Sequence, residues 1–252
     1  MRLSVVNLNL FPPEEEIMND INFKYTGNFG ETLTYMFKDP KWVSKVLLGA
    51  LLGIVPILNF VTAGYALRVI DRVRADTEPP LPEWGGDFGQ LWVRGLVLAV
   101  IGFIYGIPIW ILSGIAGGVG GSSRSGGATA VAVIFGLIAF AFSILLFFWI
   151  QGVIINYAVK GNFGAGFEFG AIWELIKKSA GRMLLTVVFV VVVGIIIGVV
   201  TAVLNIIPCV GCILSWLIGF AAAFYTLLVV AYNCGIAAKA LGLVEAPLEP
   251  IQ

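Results

Sequence analysis

The chain has 252 residues, 15 basic and 15 acidic side chains, and no histidine. Hydrophobic residues make up 59% and charged residues 12%, about half of the roughly 25% that is usual for a soluble domain. So few charges cannot cover a soluble body of this size, and the composition therefore predicts a membrane protein. The balanced charge argues against a nucleic-acid partner, and the lack of histidine excludes histidine triads and imidazole metal sites.

The N-terminal part predicts a surface segment followed by a short membrane hairpin. Residues 1–35 show no signal-peptide pattern and are expected to stay in the cytoplasm. The uncharged run Val46–Leu67 is long enough for one crossing, but Pro56 lies in its middle. If Pro56 marks a turn, residues 42–70 form a re-entrant hairpin, and each of its arms is too short to cross.

Three longer uncharged runs predict four complete crossings. The last of them, residues 183–238, has 56 residues, whereas one crossing needs about 20. This run must therefore turn back, and Pro208 and Gly211 suit that turn. A Gly/Ser-rich stretch at 114–127 is expected to be a flexible linker. The predicted crossings lie near residues 93–113, 128–157, 183–204 and 213–237.

An amphipathic helix is expected at residues 167–180. Its apolar side chains recur at positions i, i+3, i+4 and i+7: Phe169, Ile172, Trp173 and Ile176. This spacing is typical of a helix that lies in the membrane interface. The alternative is that the helix packs on the protein's own cytoplasmic loops.

The distribution of positive charge predicts the topology. Lys and Arg concentrate in cytoplasmic loops. With a re-entrant hairpin, 14 basic residues lie inside and only Arg124 lies outside, whereas a crossing at 43–67 gives 9 to 6. We therefore predict an all-α, multi-pass bundle in the cell membrane with both termini cytoplasmic. It forms one membrane domain at residues 36–240, followed by a cytoplasmic tail at 241–252.

Five amide side chains lie within or at the ends of the apolar runs: Asn59, Gln151, Asn156, Asn205 and Asn233. Such groups either line a path for a solute or form hydrogen bonds between helices and at turns. No predicted span holds an ionisable residue beyond its edges. This argues against ion-coupled transport and against catalysis inside the membrane.

Cys209 and Cys212 form a Cys-x-x-Cys pair in the predicted external turn. One interpretation is a disulfide in an oxidising compartment, and the other is that small residues suit a tight turn. A tetrahedral metal site is not expected, because no second cysteine pair or histidine completes the ligand set.

A cluster at the level of the lipid headgroups is predicted near the end of the hairpin. Tyr65, Arg68 and Arg72 are spaced i, i+3 and i+7, and a Pro-rich turn returns Trp84 to the same level. Arginine pairs bidentately with phosphate, so these residues are candidates for binding anionic headgroups. The alternative is that the arginines pair with loop acids and only hold the loop in place; the available acids are Asp71, Asp76 and Glu83.

Several motifs occur in an order that resembles a known membrane family. They are Phe37-Lys38-Asp39-Pro40-Lys41-Trp42, Gly64-Tyr65-x-x-Arg68-Val69, Leu81-Pro82-Glu83-Trp84, Asp87-Phe88-Gly89-x-Leu91 and Tyr105-Gly106-Ile107-Pro108. The set is similar to the uncharacterised prokaryotic integral membrane family called domain of unknown function 4013. The resemblance implies a multi-pass archaeal or bacterial protein and supplies no catalytic residues. It does not imply the cysteine pair.

These patterns lead to a functional expectation. We expect a non-enzymatic membrane protein without a cofactor that acts through membrane lipids or other membrane-protein subunits, as an accessory subunit or membrane organiser. The alternative is a passive channel or transporter for a small or lipid-like solute.

Overall fold

The computed structural model describes residues 29–79, 81–122, 126–207 and 210–243, and these ranges contain helices and turns but no strand. Most of the predicted N-terminal segment and of the tail lies outside them. In chain order the elements are α1 (Phe29–Thr34), a 3-10 helix (Tyr35–Lys38), α2 (Trp42–Ile54), α3 (Asn59–Arg74), α4 (Phe88–Ser122), α5 (Gly126–Lys160), a second 3-10 helix (Phe163–Phe167), α6 (Phe169–Leu204) and α7 (Val210–Ala240).

Four helices, α4 to α7, are long and apolar enough to cross a membrane. They contain 35, 35, 36 and 31 residues. At 1.5 Å per residue this is about 46–54 Å, more than the roughly 30 Å of a hydrocarbon core. The described parts of the predicted crossings lie within these helices, one in each. The prediction of an all-α, multi-pass membrane bundle is confirmed.

The Gly/Ser-rich stretch at 114–127 is helical over most of its length, which differs from the predicted flexible linker. Helix α4 continues to Ser122 and α5 begins at Gly126, while residues 123–125 lie outside the described part. In an apolar surrounding each backbone N–H and C=O needs an internal partner, and a helix supplies it. This requirement overrides the weak helical propensity of glycine.

The interfacial helix predicted at 167–180 is not a separate element. From Phe169 onward it is continuous with the crossing predicted at 183–204, and together they form α6, whereas Phe167 ends the second 3-10 helix. No proline interrupts the segment between them, and Ile176 and Met183 are both buried on this one helix. Because no stop signal lies between the two predicted segments, the backbone hydrogen bonds of the helix continue, and the charged residues there do not end it.

The hairpin of α2 and α3 turns at residues 55–58, around Pro56, and α3 extends to Arg74. Helix α3 is the central helix of the core and packs between α4 and α7. A Cβ added to Gly64 would lie 1.9 Å from the carbonyl oxygen of Leu91, and one added to Gly95 would lie 1.7 Å from that of Phe60. Glycine is therefore required where α3 and α4 touch.

Buried side chains concentrate at one end of the bundle, which we call the packed end. It contains α1 to α3 and the adjoining parts of the four long helices, and it holds every charged residue of the described chain. The remaining parts form the open end, in which Ala139 and Gly211 are the only buried residues whose side chains the structure describes. The open end comprises residues 102–122, 126–150, 188–207 and 210–223.

Candidate functional site

The four predicted headgroup residues come together at the packed end, around the loop of residues 75–87. The side chain of Arg72 donates from Nε and Nη2 to the carbonyl oxygen of Pro79, at 3.0 and 2.7 Å. The hydroxyl of Tyr65 donates to the carbonyl oxygen of Pro82 at 2.7 Å. Three short hydrogen bonds from two α3 side chains therefore hold the proline-rich part of the loop.

Stacking and a weak ion pair complete these contacts. The ring of Trp84 stacks on Tyr65 with centroids 4.1 Å apart, and its indole N–H donates to the carbonyl oxygen of Lys45 at 3.1 Å. Arg68 is the most peripheral member, with Nη2 4.0 Å from Asp87 Oδ2. Tyr65 is completely buried, and its hydroxyl contacts the loop through the hydrogen bond to Pro82.

A buried ion cluster below the loop was missed by sequence reasoning. Lys45 Nζ lies 2.8 Å from Asp39 Oδ2 and 3.1 Å from Glu83 Oε1, and it donates to the carbonyl oxygen of Leu81 at 3.0 Å. Lys45 and Asp39 are both buried, whereas Glu83 is exposed. The available signal was the six-residue separation of Asp39 and Lys45 across a helix start. We call Asp39, Lys45, Tyr65, Glu83 and Trp84 the loop anchor.

The charges of the loop anchor shift the acidity of its carboxyl groups. Burial raises the pKa of Asp39, but hydrogen bonds from Lys45 and from the backbone N–H of Lys41 outweigh it, and the net pKa is lowered. The hydrogen bond from Lys45 lowers the pKa of Glu83. Both carboxylates are therefore charged near neutral pH and fit a structural role for Lys45.

Arg68 and Arg72 contact the loop, as in the loop-holding alternative, but through Asp87 and the carbonyl oxygen of Pro79 and not through the predicted acids Asp71, Asp76 or Glu83. The ammonium of Lys45 has three acceptors and Arg72 has the carbonyl oxygen of Pro79. The side chain of Arg68 is partly exposed, and the carboxylate of Asp87 lies 4.0 Å from it. Binding of a lipid phosphate by these arginines stays a prediction.

The amides of the apolar runs are hydrogen-bonded to neighbouring protein groups. Gln151 donates to the carbonyl oxygen of Met183 at 3.4 Å, and Asn156 donates to that of Ala165 at 2.8 Å. Asn59 accepts from Thr62 at 3.0 Å, and Asn205 accepts from Ser215 at 3.4 Å. These contacts are typical of helix packing and turn capping.

Asn233 belongs to a buried polar group that the sequence did not reveal. Its Oδ1 accepts from Arg182 Nε at 3.0 Å and from Thr32 at 3.4 Å, which joins α7, α6 and α1. Its Nδ2 has no acceptor within the described chain, and the gap beside it, toward Gln151, is too narrow for a water molecule. Sequence reasoning treated Arg182 only as a cytoplasmic charge, because its burial depends on helices far apart in the chain.

The cysteine pair is only partly described. Cys209 lies outside the described residues, so the possible disulfide is untested, while Cys212 is an exposed thiol at the open end. A Cβ on Gly211 would lie 1.9 Å from the carbonyl oxygen of Leu204, so the turn there is tight. Within the described ranges no three His, Cys, Asp or Glu side chains are placed to hold a metal ion.

A row of aromatic rings joins α4, α5, the second 3-10 helix and α6 where the packed end meets the open end. Neighbouring centroids are 5.2 to 6.5 Å apart, and Lys177 Nζ lies 5.5 Å from the centroid of the last ring. Sequence reasoning found only two of its members, Phe169 and Trp173. The row runs through Phe163, Phe167, Tyr105, Phe169, Trp149 and Trp173.

Four membrane-length helices around a short central hairpin define a multi-pass α-helical membrane protein. The family described as protein of unknown function, DUF4013, matches residues 47–206, and the chain belongs to this family. The match includes α3 to α6 but not Asp39 and Lys45 of the loop anchor or helix α7. Searches of the curated proteins and of the solved structures give no match.

Proposed function

We propose that this is a non-enzymatic integral membrane protein that acts through lateral contacts with lipid or with another membrane protein. The observation that carries the proposal is the surface of the open end. Only 6% of the most apolar stretch of α5, and of α6, is buried within the chain. Side chains such as Leu145 and Ile195, which are 67% and 61% exposed, have no described core to enter. Their natural surroundings are acyl chains or apolar helices.

The polar groups of the packed end support the non-enzymatic part of the proposal. Enzymes usually hold an acid, base or nucleophile with perturbed acidity in an open cleft. Here the carboxylates with shifted pKa values are held by lysines: Asp39 and Glu83 by Lys45, and Glu168 by Lys160. These pairs attach loops to helices.

The orientation is part of the proposal. All charged residues of the described chain lie at the packed end, and the open end has none. The excess of Lys and Arg in cytoplasmic loops favours a cytoplasmic packed end, with both termini on that side.

The alternative of a passive channel has less support. Three of the five amides considered for a solute path lie apart: Asn59 at the hairpin turn, Asn205 at the open end and Asn233 buried in the packed end. Asn59 and Asn205 are hydrogen-bonded to neighbouring side chains.

Site-specific photo-crosslinking in native membranes tests the proposal. Benzoylphenylalanine at Leu145 or Ile195 is expected to crosslink to lipid or to a recurring membrane protein. The matched control is Leu228, which is completely buried and is expected to crosslink only within the chain. Crosslinks from Leu145 and Ile195 to this chain's own helices alone would contradict the proposal. Rapid flux of a small solute through proteoliposomes would instead support the channel.

A further inference from the structure

The first part of α6, residues 169–183, has a buried face and an exposed face, and the exposed face carries two rings of the aromatic row. Ile172 and Ile176 are buried, and a Cβ added to Gly152 of α5 would lie 2.9 to 3.1 Å from their side chains. On the other face Phe169 is 59% and Trp173 is 51% exposed. This segment is thus amphipathic in the folded protein, and no loop in the described part of the chain covers its aromatic face.

The first part of α6 runs across α5 rather than along it. Phe169 and Trp149 have ring centroids 5.9 Å apart, and Gln151 donates to the carbonyl oxygen of Met183 at 3.4 Å. Fourteen residues of helix cover about 21 Å, whereas two residues cover about 3 Å. Contacts so far apart on α6 and so close on α5 require a steep crossing. The first part of α6 therefore stays beside the same short stretch of α5, at the border of the packed end.

Basic side chains lie beside the exposed rings. Lys177 Nζ is 5.5 Å from the centroid of Trp173, and Lys178 is exposed next to it. Lys160 is paired with Glu168, so its charge is already balanced. Between residues 160 and 182 the chain has four basic and two acidic side chains.

We infer that Phe163, Phe169 and Trp173 lie in the headgroup layer of the leaflet at the packed end, and that Lys177 and Lys178 bind the phosphates of anionic phospholipids. Trp173 favours the interface because its ring system is apolar whereas its indole N–H is polar. Lysines beside a membrane are attracted to anionic lipid. The inference rests on the proposed function, since it names the lipid class and the surface that meets it.

The depth of the surface is tested by spin labels in proteoliposomes. The background variant carries Cys209→Ser, Cys212→Ser and Cys234→Ala, and single cysteines are then placed at Trp173, at Ile195 or at Asp76. The label at residue 195 is expected to be accessible to oxygen, and the label at residue 76 to a water-soluble nickel complex. The label at residue 173 is expected to show an accessibility to each reagent that lies between those of the other two labels. Equal nickel accessibility at 173 and 76 overturns the inference. If 195 is also open to nickel, the proposed function fails as well.

The lipid class is tested with the full chain. Native mass spectrometry after reconstitution with phosphatidylcholine and phosphatidylglycerol measures which lipid is retained. Replacing Lys177 and Lys178 by Gln is expected to lower retention of phosphatidylglycerol by about fivefold for each lysine. The matched control, Lys38→Gln with Lys41→Gln, removes two exposed lysines elsewhere and is expected to leave it unchanged. Unchanged retention in the first variant, or an equal loss in both, overturns the assignment to this surface.

Discussion

At the scale of single residues, the packed end depends on a few buried polar side chains whose partners come from distant parts of the chain. Lys45 is the clearest case: its side chain is 4% exposed and that of Asp39 is 2% exposed. A buried charge is tolerated when another charge and hydrogen bonds compensate for the loss of water. Removing one partner should therefore cost more than the pair itself contributes.

Replacing Lys45 by Met should destabilise the protein by about 3–5 kcal/mol, because it leaves the Asp39 carboxylate buried without its cation. Thermal unfolding in detergent measures the loss. The matched control is Lys41→Met, at an exposed lysine 3.7 Å from Glu83, which should cost about 0–1 kcal/mol. Adding Asp39→Asn to Lys45→Met should recover part of the stability. Equal effects of the two lysine substitutions would rule out the buried pair as the cause.

The lowered pKa values of Asp39 and Glu83 predict an acid sensitivity. A carboxyl group whose pKa is lower in the folded state contributes stability above its unfolded-state pKa, which is about 4. That contribution is lost as the pH falls through the folded-state pKa. The midpoint temperature of thermal unfolding should therefore decrease when the pH is lowered below about 4. The double variant Lys45→Met, Asp39→Asn should show a flatter profile, and an identical profile would contradict the prediction.

Holding the loop and binding lipid headgroups, the two roles considered for Arg68 and Arg72, predict different effects of a double substitution. Replacing both by Gln removes two hydrogen bonds to the Pro79 carbonyl and the contact with Asp87. We expect faster cleavage of the loop after Glu83 by a glutamate-specific protease. Reduced retention of anionic lipid with unchanged cleavage would instead favour the headgroup site.

At the scale of elements, close approach of backbones determines which helices touch. Gly64 of α3 faces the Leu91 carbonyl of α4 with no room for a methyl group. Gly64→Ala should separate these helices and cost about 1–3 kcal/mol, measured by thermal unfolding. Gly102→Ala on α4 is the control, because nothing lies within 4 Å of its added Cβ. The prediction fails if both alanine variants unfold at the same temperature.

At the scale of the whole molecule, the concentration of charge at the packed end predicts the topology. A membrane-impermeant maleimide applied to intact cells should label Cys212, which is exposed at the open end. A cysteine introduced within residues 1–35 should react only after the membrane is permeabilised. If Cys209 and Cys212 form a disulfide, labelling will need prior reduction, and Cys209→Ser will remove that need. Labelling of the N-terminal cysteine in sealed cells would contradict the orientation.

The amino-acid sequence alone was enough to predict the membrane class, the four crossings and the turn at Pro56. These features depend on the length and polarity of continuous segments, because a span must hold about 20 apolar residues and a proline removes a backbone donor. The family resemblance was likewise visible in short motifs, and the match over residues 47–206 confirms it.

Which polar residues contact each other depends on the tertiary structure and could not be predicted from the sequence. Lys45 contacts Leu81, which is 36 positions away in the sequence, and Arg182 contacts Thr32, which is 150 positions away. Neither contact therefore leaves a periodic pattern in the sequence. The structure also joins residues 169–180 to the next crossing, because a helix ends where its backbone groups have other hydrogen-bond partners and not where the charged residues end. The row of rings that ends at Trp173 formed in the same way, by the crossing of α6 over α5.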